Sequence, residues 1–329
     1  MAPEYLSSAC PHDCPSTCAL EVERLDAHTI GKVRGAADND YTLGVICDKV
    51  SRYRERIHHP DRLSHPLRRT GPKGSGKFEP VSWDDALDEV AGAFKHATAQ
   101  HGAEAVWPYH YAGTMGLVQR DGIERLRHVM KYSRQRSTIC TTLADAGWMA
   151  GVGELRGPEA RETSESDYIV CWGANPVATQ VNLMTHISRA RKERGAKLTV
   201  IDPYRGATAA MADRHLMIRP GTDGSLACAV MHVLFAEGYA DRDYMARYAD
   251  CPDELEAHLE SRTPAWASGI TGIPEAEIIA FAHEYGAAKR SFIRVGYGFA
   301  RSRNGAAQVH AVTCLPTVTG AWRHPGGGA

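Results

Sequence analysis

Three cysteines stand at four-residue steps near the start of the chain. Cys10, Cys14 and Cys18 lie in the stretch CPHDCPSTC, and Cys47 follows in GVICDK. Three close thiolates and one distant thiolate can supply the four ligands of a [4Fe–4S] cluster. Zinc also takes four thiolates, although structural zinc sites usually show two short-spaced pairs. The grouping of three plus one therefore favours the cluster, with zinc and a disulfide framework left open as alternatives.

Two further residues carry chemistry that the sequence alone does not decide. Lys49 stands two positions after Cys47. The default interpretation is a solvated surface lysine, and the alternative is a cation between the cluster and a second redox centre. Cys140 is a lone cysteine in RSTICTTLADAGW, for which a buried apolar thiol is the default.

Composition sets the class of protein. The chain has 329 residues, enough for about two domains, and 43% of its residues are hydrophobic. With 38 basic and 39 acidic residues the net charge is −1, so no nucleic acid or anionic membrane is expected as a main partner. No apolar run reaches the roughly 20 residues of a membrane span. The first residues show no export signal, which predicts a cytoplasmic protein; export on a partner subunit, or an earlier loss of a leader, is the alternative. In a reducing compartment nine cysteines favour metal or redox chemistry over disulfides.

The elements after the cysteines begin with a run rich in Arg and His over residues 51–69. Such a run is a solvated surface by default, but arginine at this density also suits phosphate groups. Ser82 and Asp85 form a capping box that predicts a helix from Ser82, and Gly102 ends it. A strand and a second helix are predicted within residues 106–132.

From about Glu165 the pattern alternates between strands and helices. The order β-α-β-loop-β-α implies a parallel sheet covered by helices on both faces, so the predicted fold class is α/β with Rossmann-like sheets. The predicted strands lie in SDYIVCWG, AKLTVIDPYR and HLMIRPGTD, and the predicted helices in NLMTHISRARKERG and GSLACAVMHVLFAEG.

Three polar loops follow these strands, at the edge where such sheets bind ligands. The loops run over residues 173–176, 202–205 and 219–223. Gly173 would let a backbone approach a phosphate closely, and Asp202 falls roughly where dinucleotide folds place an acid. Arg205 and Arg219 could neutralise a pyrophosphate. GANPVAT lacks the G-x-G-x-x-G of nicotinamide-binding folds, and loops of this composition are also common without any ligand.

The chain resembles the dimethyl-sulfoxide-reductase family of molybdenum enzymes, which use the bis(molybdopterin guanine dinucleotide) cofactor. The motifs that carry the resemblance run in order from about residue 9 to the end of the chain. They are CPHDCPSTC with Cys47-Asp48-Lys49, HPDRLSHPLRR, FEPVSWDDAL, YAGTMG, WGANP, VIDPYR, IRPGTDG and TGAWRHPGGG.

The resemblance implies roles for individual residues. The four early cysteines would bind the [4Fe–4S] cluster, Lys49 would lie between that cluster and one pterin, and Cys140 would be the side-chain ligand of molybdenum or tungsten. One guanine-dinucleotide arm would contact Gly173, Asn175, Asp202, Arg205, Arg219, Gly221 and Asp223.

The resemblance also implies the domain organisation. Residues 1–60 would form a small cluster domain, and residues 136–284 a Rossmann-like domain that binds guanine dinucleotide. Residues 61–135 and 285–329 would belong to a central α/β domain, and the family's C-terminal domain would be absent. Relatives are about twice as long, so we expect an N-terminal fragment or one part of a split enzyme.

The implied function is two-electron chemistry at the metal on a small-molecule substrate, with the cluster passing single electrons to a redox partner protein. The alternative is a cluster-bearing electron-transfer subunit that has lost the metal, like the related subunit of respiratory complex I. A zinc-stabilised nucleotide-binding module is a third, weaker hypothesis.

Overall fold

A computed structural model describes residues 4–110, 117–136 and 141–329, and for residues 117–121 and 299 it describes the backbone. The chain divides into two compact units, residues 1–137 and residues 138–329. None of the helices within these ranges is long and apolar enough to cross a membrane.

The first unit opens with a three-stranded antiparallel sheet. Its strands are β1 (Glu4–Ala9), β2 (Ala19–Arg24) and β3 (Ile30–Gly35), in the order β1-β2-β3. Two short helices follow, α1 (Asp48–Ser51) and α2 (Tyr53–Ile57). A small core of Cys18, Leu20, Val33 and Val50 joins the sheet to α1.

The rest of this unit is a hairpin and two helices. Strands β4 (Leu67–Arg69) and β5 (Phe78–Pro80) pair antiparallel and lead to helices α3 (Trp83–His101) and α4 (Leu117–Met130). The capping box is confirmed, because the Ser82 hydroxyl accepts the backbone N–H of Asp85 over 3.1 Å. Gly102 ends α3 with φ at +85°, which suits glycine.

The strand predicted before α4 is wrong over its described part, residues 106–110, which contain no strand. Val106 is buried, and its carbonyl accepts the backbone N–H of Ser133. The apolar signal therefore marks a buried irregular segment. The helix predicted after it is present as α4.

The second unit contains a four-stranded, all-parallel sheet, which confirms the predicted α/β class. The strands β6 (Tyr168–Trp172), β7 (Lys197–Ile201), β8 (Arg214–Leu216) and β9 (Ser291–Val295) stand in the order β8-β7-β6-β9. Alternate residues of β6 pack into two separate cores: Tyr168, Val170 and Trp172 into one, Ile169 and Cys171 into the other. Both faces are thus covered, as continuous apolar strands require.

Helices connect and cover these strands. They are α5 (Thr142–Val152), α6 (Pro176–Thr179), α7 (Val181–Arg194), α8 (Ala207–Ala210), α9 (Asp223–Ala236), α10 (Arg242–Tyr248), α11 (Pro252–Leu259), α12 (Pro264–Thr271), α13 (Glu275–Ala287) and α14 (Gly305–Val318). The predicted strands and helices from Glu165 to α9 are confirmed, and the loop after β6 also contains the short α6. Strand β9 belongs to the same sheet as β6. The domain boundaries that we inferred from the sequence stay a prediction.

Candidate cluster and nucleotide sites

The first three cysteines lie in the connection between β1 and β2. The backbone N–H of Cys10 donates to the carbonyl of Cys18 over 2.9 Å, which closes the connection at its base. Inside it, the N–H of Thr17 donates to the carbonyl of Cys14, and Thr17 has φ at +41°. This compact turn holds the three thiols within one short loop.

Cys47 reaches the same region because the chain folds back after β3. Gly35 lies so close to this returning segment that a Cβ on it would come within 2.2 Å of the carbonyl oxygen of Gly44. The Asn39 side chain accepts the backbone N–H of Thr42 over 2.9 Å and so closes the turn. Cys47 then precedes α1 and packs, together with Cys10, against the small core of the first unit.

The thiols are close enough to influence each other's ionisation. Burial raises the pKa of Cys10, and the thiols of Cys47 and Cys14 raise it further. The backbone hydrogen bond at His12 and the charge of Lys49 act in the opposite direction. Positive charge placed among these sulfurs would therefore be stabilised, which is the charge that a bound iron–sulfur cluster or metal supplies to thiolates.

Among the described residues, no three Cys, His, Asp or Glu side chains are arranged to hold a single metal ion. The four thiolates of a cubane each bind a different iron atom, so they stand further apart than the ligands of one ion. Cys18 belongs to the small core of the first unit, and Cys10 and Cys47 pack against that core.

A basic cavity opens beside the cysteines, with a volume of about 650 Å³. Its walls include Lys49, Arg52 and Arg56. The Tyr53 hydroxyl and Nε2 of His12 share a hydrogen bond of 2.5 Å in this wall. The arginine-rich run of the sequence therefore borders the cysteine cluster on at least one side.

The second candidate site lies at the carboxyl edge of the parallel sheet. The chain leaves β6 towards β7 on one side, whereas β9 stands on the other side. The strand order therefore reverses between the ends of β6 and β9. Such a reversal is the usual ligand position in parallel sheets, and we call this position the crevice. Gly173, with φ at +60°, follows β6 there, and its carbonyl accepts the N–H of Gly298 over 3.1 Å.

Two of the predicted loops border this crevice with polar groups. Oδ1 of Asn175 accepts a hydrogen bond from Thr208 at the start of α8. Oδ1 of Asp202 accepts the N–H of Tyr204 over 2.8 Å, and Arg205 is exposed to solvent. The structure thus brings the loops after β6 and β7 together.

In the third loop, two predicted side chains are engaged within the protein. The Arg219 guanidinium donates to the carbonyls of Gly269 and Ile270 at the end of α12. The Asp223 carboxylate is buried, 3% exposed, and Oδ1 accepts the indole N–H of Trp172 over 2.8 Å. Burial raises the pKa of Asp223. Gly221 has φ at +80°, and a Cβ on it would lie 3.4 Å from Cβ of Ser302 in the loop after β9.

Helix α5 packs closely against α14. A Cβ on Gly147 would lie 2.2 Å from the carbonyl oxygen of Ala306, and one on Gly151 would lie 1.9 Å from Oγ1 of Thr313. The contacts advance along both helices together, so the helices run parallel. The start of α5 is therefore at the same end as the start of α14, beside the loop that follows β9.

Two sequence-based predictions lie outside the described residues. One is Cys140, the predicted metal ligand, and the other is the YAGTMG motif of residues 111–116. Thr142, two residues after Cys140 in the sequence, is the first residue of α5.

Four described cysteines lie outside the early group of Cys10, Cys14, Cys18 and Cys47. None of them forms a disulfide: Cys171, Cys228, Cys251 and Cys314. Cys171 is fully buried, and burial raises its pKa to about 12. Burial likewise raises the pKa of Cys314 to about 11. Cys171 is thus a buried apolar side chain and Cys314 a half-buried one, whereas Cys251 is exposed.

Sequence reasoning missed Gly296, which meets Gly173 from the β9 side of the crevice. A Cβ on Gly296 would lie 2.1 Å from the carbonyl oxygen of Gly173, so only glycine permits the approach. Gln308 of α14 was also missed. The glycine pair in the stretch RVGYGFA was the available signal, but nothing local shows that this stretch meets Gly173.

Comparisons with known proteins show the family to which the chain belongs. A family model described as molybdopterin oxidoreductase matches residues 62–329. The chain is 38% identical over 323 residues to the probable oxidoreductase YoaE of Bacillus subtilis, covering 98% of this chain and 47% of that protein. It is 32% identical over 345 residues to the putative dimethyl sulfoxide reductase chain YnfE of Escherichia coli, covering 95% of this chain and 43% of the relative.

A solved structure shares the fold. Acetylene hydratase from Pelobacter acetylenicus superimposes with a TM-score of 0.74 at 21% identity, over 96% of this chain and 43% of the hydratase chain. The chain thus spans about half the length of the curated relatives it matches.

Proposed function

Because the chain belongs to the molybdopterin oxidoreductase family, we propose that it forms part of the catalytic chain of a molybdenum-dependent oxidoreductase. In this proposal Cys10, Cys14, Cys18 and Cys47 hold a [4Fe–4S] cluster. The chain also contributes to binding molybdenum, or tungsten, as the bis(molybdopterin guanine dinucleotide) cofactor. When bound, that cofactor supplies a two-electron centre for a small-molecule substrate, and the cluster transfers electrons singly.

One observation supports the cluster above all others. Cys10 and Cys47 are far apart in the sequence, yet both pack on the same small core with Cys18. Two separate pieces of backbone produce this meeting: the turn at Thr17 and the close approach of Gly35 to Gly44. Thiolates held beside one another repel each other, and a bound cation or cluster would offset that repulsion.

Lys49 has a defined electrostatic role in this proposal. Burial raises the pKa of Cys10, and the charge of Lys49 offsets part of that rise. Lys49 therefore favours the thiolate form that a metal cluster requires. It also lines the basic cavity beside the cysteines. We propose that Lys49 lies on the electron path between the cluster and one pterin.

The edge of the parallel sheet is the proposed binding site for one guanine-dinucleotide arm. Glycine backbone at the end of β6 allows a phosphate to approach, and Asn175, Asp202 and Arg205 offer polar contacts. Gly221 would contact the arm through its backbone. We propose that Arg219 and Asp223 act mainly by shaping the loop between them, since their side chains bind other parts of the protein.

We propose Cys140 as the side-chain ligand of the metal. A soft thiolate suits molybdenum. In support, α5 begins two residues after Cys140. Helix α5 runs parallel to α14, so the start of α5 lies at the same end as the start of α14, beside the loop that follows β9. A redox partner protein and a cytoplasmic location remain predictions.

Anaerobic purification followed by iron and sulfide analysis tests the cluster. The expected result is about four irons and four acid-labile sulfides per chain, with a brown colour that bleaches on reduction. Cys47→Ser should lose most of both, whereas Cys251→Ser, at an exposed cysteine outside the loop, should load as the parent does. One zinc per chain without sulfide would refute the cluster.

Molybdenum and tungsten analysis separates the two candidate functions. For this test the chain is produced in a host that synthesises the cofactor, together with a second polypeptide that corresponds to the remaining length of the relatives. Molybdenum or tungsten is expected in that complex. Cys140→Ala should then lose much of the metal while it keeps the cluster. Iron and sulfide with no molybdenum or tungsten in that complex would instead indicate the electron-transfer subunit.

A further inference from the structure

A buried amide side chain links the two loops that meet at the sheet edge. Gln308 lies on α14, is 1% exposed, and has apolar buried neighbours such as Val309 and Val312. A buried amide is costly unless its donors and acceptor are satisfied. Its hydrogen bonds therefore indicate what this position does.

Each end of the amide binds a different loop. Oε1 of Gln308 accepts the backbone N–H of Asp223, the first residue of α9, over 2.7 Å. Nε2 donates to Oγ of Ser302 over 2.6 Å and to Oδ1 of Asn304 over 3.3 Å. One side chain thus ties the start of α9 to the segment that follows β9.

This link continues to the end of the central strand. Asp223, held through its N–H by Gln308, accepts the indole N–H of Trp172, the last residue of β6, over 2.8 Å. Ser302 lies against the glycine of the other loop, since a Cβ on Gly221 would be 3.4 Å from Cβ of Ser302. The chain of hydrogen bonds therefore connects the backbones on both sides of the crevice.

We propose that Gln308 is a positioning residue that sets the spacing of the crevice rim for a nucleoside diphosphate. The inference rests on the proposed nucleotide site and adds to it a residue that does not touch the ligand. Loss of the amide releases residues 302–304 from the start of α9. Binding of the diphosphate must then also order residues 302–304, and the conformational entropy lost in that ordering lowers the affinity.

Two substitutions with a matched control test the proposal. Gln308→Met keeps the length of the side chain and removes the hydrogen bonds to Asp223, Ser302 and Asn304. Gln308→Glu keeps the acceptor for Asp223 but removes the donor to Ser302 and Asn304. The control is Thr313→Val on the same helix: Thr313 is fully buried and loses one hydrogen bond, to the carbonyl of His310, away from the crevice.

The first measurement is the affinity of the full chain for guanosine diphosphate by calorimetry, beside its urea stability. We expect Gln308→Met to weaken binding about tenfold or more, about 1.4 kcal/mol, and Gln308→Glu to weaken it less. The affinity of Thr313→Val for guanosine diphosphate should stay within about twofold of that of the parent, even if its free energy of unfolding falls as much as that of Gln308→Met. Equal affinity of Gln308→Met and the parent would overturn the inference.

The second measurement is amide hydrogen exchange without ligand, which separates this inference from the proposed function. Gln308→Met should speed exchange in residues 298–304 and at the start of α9, and Thr313→Val should not. If the parent chain fails to bind guanosine diphosphate, the nucleotide site is wrong, and exchange still tests the link. If Gln308→Met does not fold, Ser302→Ala is the second variant, because it removes the partly exposed end of the link. It should speed amide exchange in residues 298–304. Unchanged exchange in those residues would overturn the inference.

Discussion

The indole Nε1 of Trp172 donates a 2.8 Å hydrogen bond to Oδ1 of Asp223, and both side chains are buried. Trp172 ends β6 and Asp223 begins α9, so the bond joins the central strand to the helix that covers it. A buried donor that loses its partner costs about 1–3 kcal/mol.

Removal of the Asp223 carboxylate should therefore destabilise the second unit. We expect Asp223→Ala to lower the free energy of unfolding by about 2 kcal/mol or more, because the buried indole N–H loses its hydrogen bond to the Asp223 carboxylate. Asp223→Asn retains an oxygen acceptor and should recover at least half of the loss. Urea unfolding measures both, and equal losses in the two variants would show that the bond contributes little.

The approach of Gly35 to Gly44 makes a prediction about Cys47. In Gly35→Ala the new Cβ would lie 2.2 Å from the Gly44 carbonyl oxygen, so the returning loop must move and Cys47 with it. We expect the iron content of the anaerobically purified chain to fall by more than half. Gly92→Ala in α3 is the control, since nothing lies within 4 Å of its new Cβ; it should load iron normally and gain about 0.5–1 kcal/mol of stability. Normal iron in Gly35→Ala would contradict this account of the loop.

The contact between Gly296 and Gly173 predicts a steric effect at the sheet edge. Gly296→Ala would place a Cβ 2.1 Å from the Gly173 carbonyl oxygen and should destabilise the second unit by about 1–3 kcal/mol. Gly269→Ala, in α12 with no atom near the new Cβ, should be neutral or stabilising. Thermal unfolding of the two variants side by side measures the difference, and matching melting temperatures would refute the steric account.

The buried thiol of Cys171 predicts a loss of stability at alkaline pH. Burial raises its pKa from 9.0 to about 12, so above pH 9 the unfolded chain releases this proton while the folded chain keeps it. The free energy of unfolding therefore falls as the pH rises from about 9 towards 12. By about pH 10.5 the loss from this group is about 2 kcal/mol relative to neutral pH.

Cys171→Ala isolates that contribution. The variant is less stable at neutral pH because it creates a cavity, but it should lose about 2 kcal/mol less than the parent between neutral pH and about pH 10.5. Urea unfolding at the two pH values gives the difference. Identical losses in both proteins would mean that the thiol titrates normally in the folded state.

The sequence predicts those parts of the fold that local chemistry decides. Ser82 and Asp85 cap α3 because both groups lie within four residues. The strands around Ile169 and Val200 are recognisable because residues buried on both faces form unbroken apolar runs. Val106 shows the limit of that signal, since a buried apolar residue can also lie in irregular backbone.

Contacts between distant segments are not encoded in any short pattern. The sequence predicts a polar loop at residues 219–223 but not that Arg219 caps α12 or that Asp223 lies buried beneath Trp172. Gly296 meets Gly173 only because β9 pairs with β6. The resemblance to a known family supplied candidate residues, and tertiary packing decides which side chains face the crevice.

The strand order has a consequence for synthesis of the protein. Tyr168 of β6 pairs with Ser291 of β9, which leaves the ribosome about 120 residues later, on the order of ten seconds at typical translation rates. During that interval β6 can pair with β7 but keeps its other edge unpaired, a state that invites association with other chains. The edge of β6 that pairs with β9 is therefore completed last. A nascent chain that stalls before residue 295 would expose this unpaired edge and should bind chaperones.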